Sequence, residues 1–295
     1  MPVIVCRSGT KCNVCPPYEA FARGAWDCVA HAASQAKSGV STKGFLWEFL
    51  PELRMLGCLD NLPGEKGTAR VNAAGEGAMS RIAGAAVRPD VVVIGVSTGG
   101  PEALEILLPG LPGNFPLPVL VVQHMPEVFT QSLAERLDSR CLMRVREVRD
   151  GELLGPGRVH VARGNWHLEV VAGARIGAPS SLHLTQGPPE NHCRPAVDVV
   201  LRSAVQVFGA GVLAVQLTGM GADGLAGCRA VRAAGGVVLA QDEATSVVWG
   251  MPGAVVHAGL AHRVLPIESM AREILRLTSC LDVETASGRE AVVQA

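Results

Sequence analysis

At 295 residues, 48% of them apolar, the chain is long enough for one large α/β domain or two unequal ones and can bury a sizeable core. Charged residues make up 18% and the formal net charge is -1, so no strong field draws in nucleic acid or an anionic membrane surface. Nine cysteines without an N-terminal secretory pattern argue against a disulfide framework. No apolar run approaches the roughly 18 residues of a membrane span, so a soluble, cytoplasmic chain without membrane insertion is expected.

In chain order, Pro2 to Cys6 reads as a strand, Tyr18 to Gly24 as a helix, Ala25 to Val29 as a strand and Gly44 to Leu56 as a helix, giving half of an α/β domain over residues 1–58. Cys12, Cys15, Cys28 and His31 have a spacing that zinc can use, but Cys28 falls within a strand where a thiol packs inward, so no metal site is expected. Residues 59–88, with the turn signal Pro63-Gly64 and many small side chains, read as a linker. From 89 to 278 short apolar strands alternate with helices. That is the pattern of a three-layer, doubly wound α/β fold on a mainly parallel sheet. The strands are Val91 to Val96, Val119 to Gln123, Val212 to Leu217, Val237 to Ala240 and Arg263 to Leu265. Helices follow from Pro101, Val128, Ala222, Ala244 and Ile267, and one spans Ala196 to Phe208. Between Gly157 and Thr185 the texture changes to short strands at Arg158 to Ala162, Leu168 to Val171 and Leu182 to Leu184, an expected antiparallel insertion. The polar residues 279–295 read as a frayed tail.

Val91 to Val96 breaks at a glycine-rich turn, Gly95-Val96-Ser97-Thr98-Gly99-Gly100, and Pro101 then suits a first helical turn. Strand, turn and helix N-terminus aim backbone N–H groups at whatever binds above Ser97, either an oxyanion or a phosphate. The turn satisfies GxSxG in the strand-to-helix context that a nucleophilic serine needs. A dinucleotide site needs glycine where Ser97 stands, and a P-loop needs a Lys-Ser or Lys-Thr that is missing. The next strand runs into His124, which places an imidazole among the carboxyl ends of the strands as a natural general base. Read alone, His124 is better explained as a strand cap, and Asp223, in Thr218-Gly219-Met220-Gly221-Ala222-Asp223-Gly224, fits a helix N-cap, a role that does not exclude another. Together, three strand ends supply serine, histidine and aspartate, with Asp223 fixing the tautomer of His124. Their order is not that of the α/β-hydrolases, so GxSxG does not license that fold. His160, His183 and His257 lie in alternating or apolar stretches and read as structural. Met125, Trp249 and Met251 read equally as core or as the lining of a substrate groove.

With these residues in place, the segments GVSTGGPEAL, PVLVVQHMPEVFTQSLAERLD, DGELLGPGRVHVA, HCRPAVDVVLRSA, TGMGADGLAG and AGGVVLAQDEATSVVWGMPGAV resemble the catalytic domain of the chemotaxis protein-glutamate methylesterases, the CheB family, over about residues 90–275. The resemblance implies Ser97, His124 and Asp223 as catalytic triad, with the backbone N–H groups of Thr98 and Met220 as oxyanion donors. It implies hydrolysis of γ-glutamyl methyl esters on methyl-accepting chemoreceptors, deamidation of receptor glutamines as a second activity, and no metal or organic cofactor. Arg163 departs from the family, which more often has proline there. The first 58 residues are similar to the later half of the phosphoacceptor receiver domain that precedes the esterase in this family. Arg7 stands where its switch Ser/Thr is expected and His31 where its lysine is expected, and the phosphorylated aspartate belongs to a half not seen here, so regulation by aspartyl phosphorylation is not expected. Two rival readings are a receptor-binding module with an idle triad and an anion or nucleotide binder using Gly95 to Gly100.

Overall fold

The computed structural model describes residues 4–8, 27–31, 88–175 and 177–279. The chain divides into two compact units, Met1–Met79 and Ser80–Ala295. In the first, β1 (Ile4–Ser8) pairs in parallel with β2 (Asp27–His31), with Ile4 opposite Asp27. Parallel pairing agrees with the α/β reading, and each strand starts two residues later than the sequence suggested. The helices read at 18–24 and 44–56, the linker up to residue 87, the tail from 280 and the side chains of the zinc-spaced cysteines lie outside the described residues.

The second unit is built on β3 (Val91–Val96), β4 (Val119–Gln123), β5 (Arg144–Glu147), β7 (Arg158–Val161), β10 (Val212–Gln216), β11 (Val237–Gln241) and β12 (Arg263–Leu265). They form a seven-stranded sheet in the order β12-β11-β10-β3-β4-β7-β5, with parallel pairing throughout. β3, β4 and β10 are buried at every residue, because a parallel sheet is covered on both faces and its central strands read as continuous apolar runs. Alternation along β3 then assigns the helices to layers. Val92, Ile94 and Val96 pack with Leu104 and Leu107 of α1 (Gly100–Leu107), Leu133 and Leu137 of α2 (Glu127–Asp138), and Met270 and Ile274 of α6 (Ile267–Ser279). Val91 and Val93 pack on the other face with Val200 and Leu201 of α3 (Val197–Phe208), Val231 of α4 (Leu225–Ala233) and Val255 of α5 (Met251–His257). The expected three-layer, doubly wound fold is present.

The expected antiparallel insertion is present with three strands, one of them different from the sequence expectation. It comprises β6 (Glu152–Leu153), β9 (Ser181–Thr185) and β8 (His167–Val171). Arg158–Val161, read as part of that insertion, instead joins the large sheet between β4 and β5. Its last three residues are buried, and β5, which the sequence reading missed, closes that edge with Arg144 and Arg146 exposed. Charged side chains on an edge strand hide its apolar periodicity and guard the free edge. The helix expected from Ala244 begins only at Met251. Asp242 diverts the chain, its carboxylate accepting from the Thr245 backbone N–H at 3.0 Å and from the Thr245 hydroxyl at 2.6 Å. The helix expected from Ala222 starts at Leu225, after Gly224 at φ 92°.

At the outer end of the sheet Glu273 of α6 is almost fully buried and accepts from Arg263 at 2.8 Å and from Arg276 at 2.8 and 3.0 Å. Burial opposes its charge, but the two guanidinium groups outweigh that and hold its carboxyl below the ordinary value of 4.5. A depressed folded-state value means that this carboxylate stabilises the fold above pH 4.5, and that the stabilisation is lost as the pH falls through the folded-state value. Urea midpoints should therefore drop on acidification more in the parent chain than in Glu273→Gln.

Candidate active site

The chain leaves β3 for β4, β5 and β7 on one side and returns through β10 to β11 and β12 on the other, so strand order reverses between β3 and β10. In open α/β sheets the crevice at the carboxyl ends beside such a reversal is where ligands bind. Ser97 follows β3 there, and its N–H donates to Thr218 O, just beyond β10, at 2.9 Å. His124 follows β4 on the other side, its N–H donating to Val96 O at 3.1 Å. The Gln123 side chain donates to both Ser97 O (3.0 Å) and His124 O (3.1 Å), so one buried amide fixes the spacing of the two loops.

Asp223 completes the group. His124 Nε2 lies 2.8 Å from Asp223 Oδ2. An ionised carboxylate only accepts, so Nε2 carries a proton, and in the neutral imidazole Nδ1 presents the lone pair. Asp223 is only 2% exposed and receives four further donors. Val197 N donates to Oδ2 at 2.6 Å, while Oδ1 accepts from Asp198 N (3.1 Å), Gly224 N (3.0 Å) and Asn191 Nδ2 (2.9 Å). Val197 and Asp198 open α3, so the carboxylate faces that helix N-terminus and does not cap α4, whose N-cap is Gly224. Burial works against ionisation, but the hydrogen bond and charge of His124 and these backbone donors outweigh it and lower the pKa of Asp223. His124 moves the other way. Its burial disfavours charge, yet Asp223 and the neighbouring Cys193 more than compensate and raise its pKa to about 9.

Cys193 falls in the segment HCRPAVDVVLRSA and Asn191 just before it, and the sequence reading gave neither residue a role. Glu190 and Cys193 exchange both backbone hydrogen bonds across Asn191 (φ 52°) and His192 (φ 63°), the two positive-φ residues of a type I′ turn. The turn sets Cys193 Sγ 3.6 Å from His124 Nδ1 and sends the Asn191 amide to Asp223 and Asp198. The donor atoms of His124, Cys193 and Asp223 all lie within 4.8 Å of one another. Among the described residues the Ser97 hydroxyl has no hydrogen-bond partner, and the backbone N–H groups of Thr98 and Met220 donate to no protein group. Thr98 is held by the Thr218 hydroxyl, which donates to Thr98 O at 2.8 Å, and Thr218 N donates to Gln241 Oε1 at 2.9 Å. Of the residues considered for a groove, Met251 is wholly buried beneath Gly219, Met125 packs partly on the core, and Trp249 is half-buried with Nε1 donating to Gln241 O at 2.9 Å. Arg163, where the family more often has proline, pairs with Glu127 of α2.

Residues 92–274 match the family model described as CheB methylesterase. The chain belongs to the CheB methylesterase family. It is 51% identical over 187 residues to a protein-glutamate methylesterase/protein-glutamine glutaminase of Trichodesmium erythraeum, covering 63% of this chain and 52% of that protein. It is 56% identical over 186 residues to one of the same name from a Nocardioides species, covering 63% of this chain and 50% of that one. The chain thus spans about half the length of these curated relatives. Among solved structures, the Thermotoga maritima CheB methylesterase catalytic domain is similar at 44% identity with a TM-score of 0.62, covering 65% of this chain and 100% of that domain. The part of the chain resembling the CheB family is therefore the unit that holds Ser97, His124 and Asp223. No helix among the described residues is long and apolar enough to cross a membrane.

Gly219 is where the Ser97 turn meets the turn after β10. A Cβ on Gly219 would strike Met251 Sδ and come within 2.8 Å of Ser97 Cβ. Neither neighbour has room to retreat, since Met251 is core and the Ser97 backbone is bonded to Thr218. Gly219→Ala is expected to cost on the order of 1–3 kcal/mol by urea denaturation. Gly155→Ala, where a Cβ meets open space, should leave the midpoint unchanged.

Proposed function

We propose that residues 89–278 are a protein-glutamate methylesterase domain that hydrolyses γ-glutamyl methyl esters on methyl-accepting chemoreceptors to glutamate and methanol. The observation that carries this reading is the His124–Asp223 pair at 2.8 Å, at the sheet's point of reversal beside Ser97. Ser97 Oγ attacks the ester carbonyl while His124 Nδ1 takes its proton, and Asp223 holds Nε2–H and stabilises the imidazolium. The free N–H groups of Thr98 and Met220, at the start of α1 and beyond β10, receive the oxyanion. His124 then returns the proton to the leaving methoxide, methanol departs, and water activated by the same nitrogen releases the glutamate. A primary amide passes through a similar tetrahedral intermediate, so deamidation of receptor glutamines follows from the same apparatus. No cofactor is required in this scheme. Residues 1–58 are assigned to a receiver-like segment, joined through a linker over 59–88, and the protein is placed in the cytoplasm, where receptor methylation sites are reached without membrane insertion.

The test is methanol release from methylated receptors. Ser97→Ala is expected to lower the rate by at least about 10⁴-fold while keeping the parent thermal transition, and His124→Ala to lower it as far with a reduced transition, because the buried Asp223 carboxylate loses a donor. Cys193→Ala, which removes the competing nucleophile at the same nitrogen, keeps turning over. Loss of turnover in Cys193→Ala with retention in Ser97→Ala would assign the chemistry to the thiol, and receptor binding without turnover by the parent would leave a docking module.

His124 must be uncharged to accept the proton, and its pKa is raised to about 9. Methanol release above the Ser97→Ala background should therefore climb as the pH rises from neutrality to about 9. Removing Cys193, one of the groups that raise the His124 value, should move that limb to lower pH.

A further inference from the structure

The nitrogen needed by Ser97 is the one that Cys193 faces, and the pair has the dimensions of a half-built metal site. Zinc binds thiolate sulfur at about 2.3 Å and imidazole nitrogen at about 2.0–2.1 Å, so tetrahedral coordination separates the two ligand atoms by roughly 3.6 Å. Cys193 Sγ and His124 Nδ1 are 3.6 Å apart. The tautomer is also the required one. In the neutral ring Nδ1 presents the lone pair because Nε2–H is committed to Asp223, and a carboxylate on the far nitrogen is the usual support of a zinc-bound histidine. Asp223 itself is not a ligand here, since both of its oxygens are occupied by backbone and Asn191 donors in addition to His124. The type I′ turn fixes Cys193 from its own side, through both backbone bonds between Glu190 and Cys193. Neither ligand residue is sealed in the core: the His124 side chain keeps 12% exposure and Cys193 is partly exposed, so the remaining positions of an ion would be left to water.

We propose that His124 Nδ1 and Cys193 Sγ form an inhibitory site for a soft divalent cation, with zinc as the fitting ion. The metal displaces the thiol proton and any proton on Nδ1 to solvent and occupies the lone pair that must receive the Ser97 proton, so the bound enzyme cannot start acylation. Hard cations such as magnesium, which prefer oxygen ligands, do not compete there. The inhibitory consequence rests on His124 being the base of the proposed esterase; the binding itself does not.

Two measurements on the full chain keep those claims apart. In the esterase assay, zinc should inhibit the parent reversibly, a chelator should restore the rate, and magnesium should have no effect. Each variant is compared with its own metal-free rate. Cys193→Ala and the closer-shaped Cys193→Ser should raise the zinc concentration for half-inhibition by at least about tenfold. In the binding assay, cobalt(II) replaces zinc and is added to Ser97→Ala, which is not expected to turn over. A thiolate-to-cobalt charge-transfer band should appear and should lose the contribution of one thiolate in the Ser97→Ala, Cys193→Ala double variant. Identical cobalt spectra with and without Cys193, or equal zinc inhibition of the parent and both Cys193 variants, would overturn the site. A Cys193-dependent cobalt band together with a parent chain that releases no methanol would uphold the metal site and reject the esterase reading instead.

Discussion

A buried carboxylate without compensation is among the costliest groups a fold can hold, and Asp223 is the constraint around which the crevice is organised. Its ionised form is sustained by donors from four places: the first turn of α3, its own following residue, the Asn191 side chain and His124. Each donor fixes an element. The α3 N–H groups set where that helix starts, Gly224 N shapes the entry to α4, and Asn191 pins the turn carrying Cys193. What remains of the carboxylate's capacity is spent on one imidazole N–H, which fixes the ring and decides which nitrogen faces the crevice. Asp198, beside it, accepts from the same Asn191 amide and from Gly227 N at 2.6 Å. Burial and the nearby Asp223 charge raise its pKa, although hydrogen bonds from Gly227 and Asn191 offset part of that effect. Two close carboxylates share one amide bridge, and only one of them touches the histidine.

The loops that surround this anchor are held by a recurring device at the strand ends. β4, β10 and β11 each finish in a buried glutamine, and each side chain reaches past the end of its ladder to bond the loop beyond. Gln123 joins the Ser97 and His124 backbones, Gln216 reaches Asp223 O at 3.3 Å, and Gln241 accepts from Thr218 N while donating to Thr245 O at 2.8 Å. A parallel ladder ends abruptly where strands diverge into loops, leaving backbone groups unpaired in a dry interior. An amide side chain supplies both a donor and an acceptor there without adding charge. The result is a set of crevice loops placed by side chains rooted in the rigid sheet.

The same features explain what the sequence disclosed. Central strands that are apolar at every position, the glycine turn after β3 and the placement of serine, histidine and aspartate after three strands were legible, because each depends on local pattern and strand adjacency. The terminal glutamines were equally visible as polar breaks in apolar runs, but their bonding is set by neighbouring strands. β5 escaped notice because Arg-Val-Arg-Glu is an edge strand whose one buried position, Val145, carries no periodic signal. The helix expected at Ala244 failed because the Asp242 side chain competes with the backbone for Thr245. Cys193 was beyond reach, since its partner is 69 residues away and its conformation comes from a turn with an unremarkable His at a positive-φ position. Asp223 was placed on the correct strand end and given the wrong helix, because the donors it satisfies belong to α3, which lies before β10 in the chain.

Those donors also settle how two demands on His124 coexist. A base poised near neutrality would need a lower pKa than about 9, which burial alone would supply. The opposing influences are Asp223 and Cys193, and they differ in kind. The contact with Asp223 is fixed by five donors converging on the carboxylate, so it cannot be relaxed without leaving a buried charge. The contact with Cys193 depends on one turn whose thiol faces an open lone pair. Any group that approaches Nδ1 from the crevice must compete with that thiol for the same nitrogen. The basicity of His124 is therefore adjustable on the Cys193 side and locked on the Asp223 side, and the adjustable side faces the crevice.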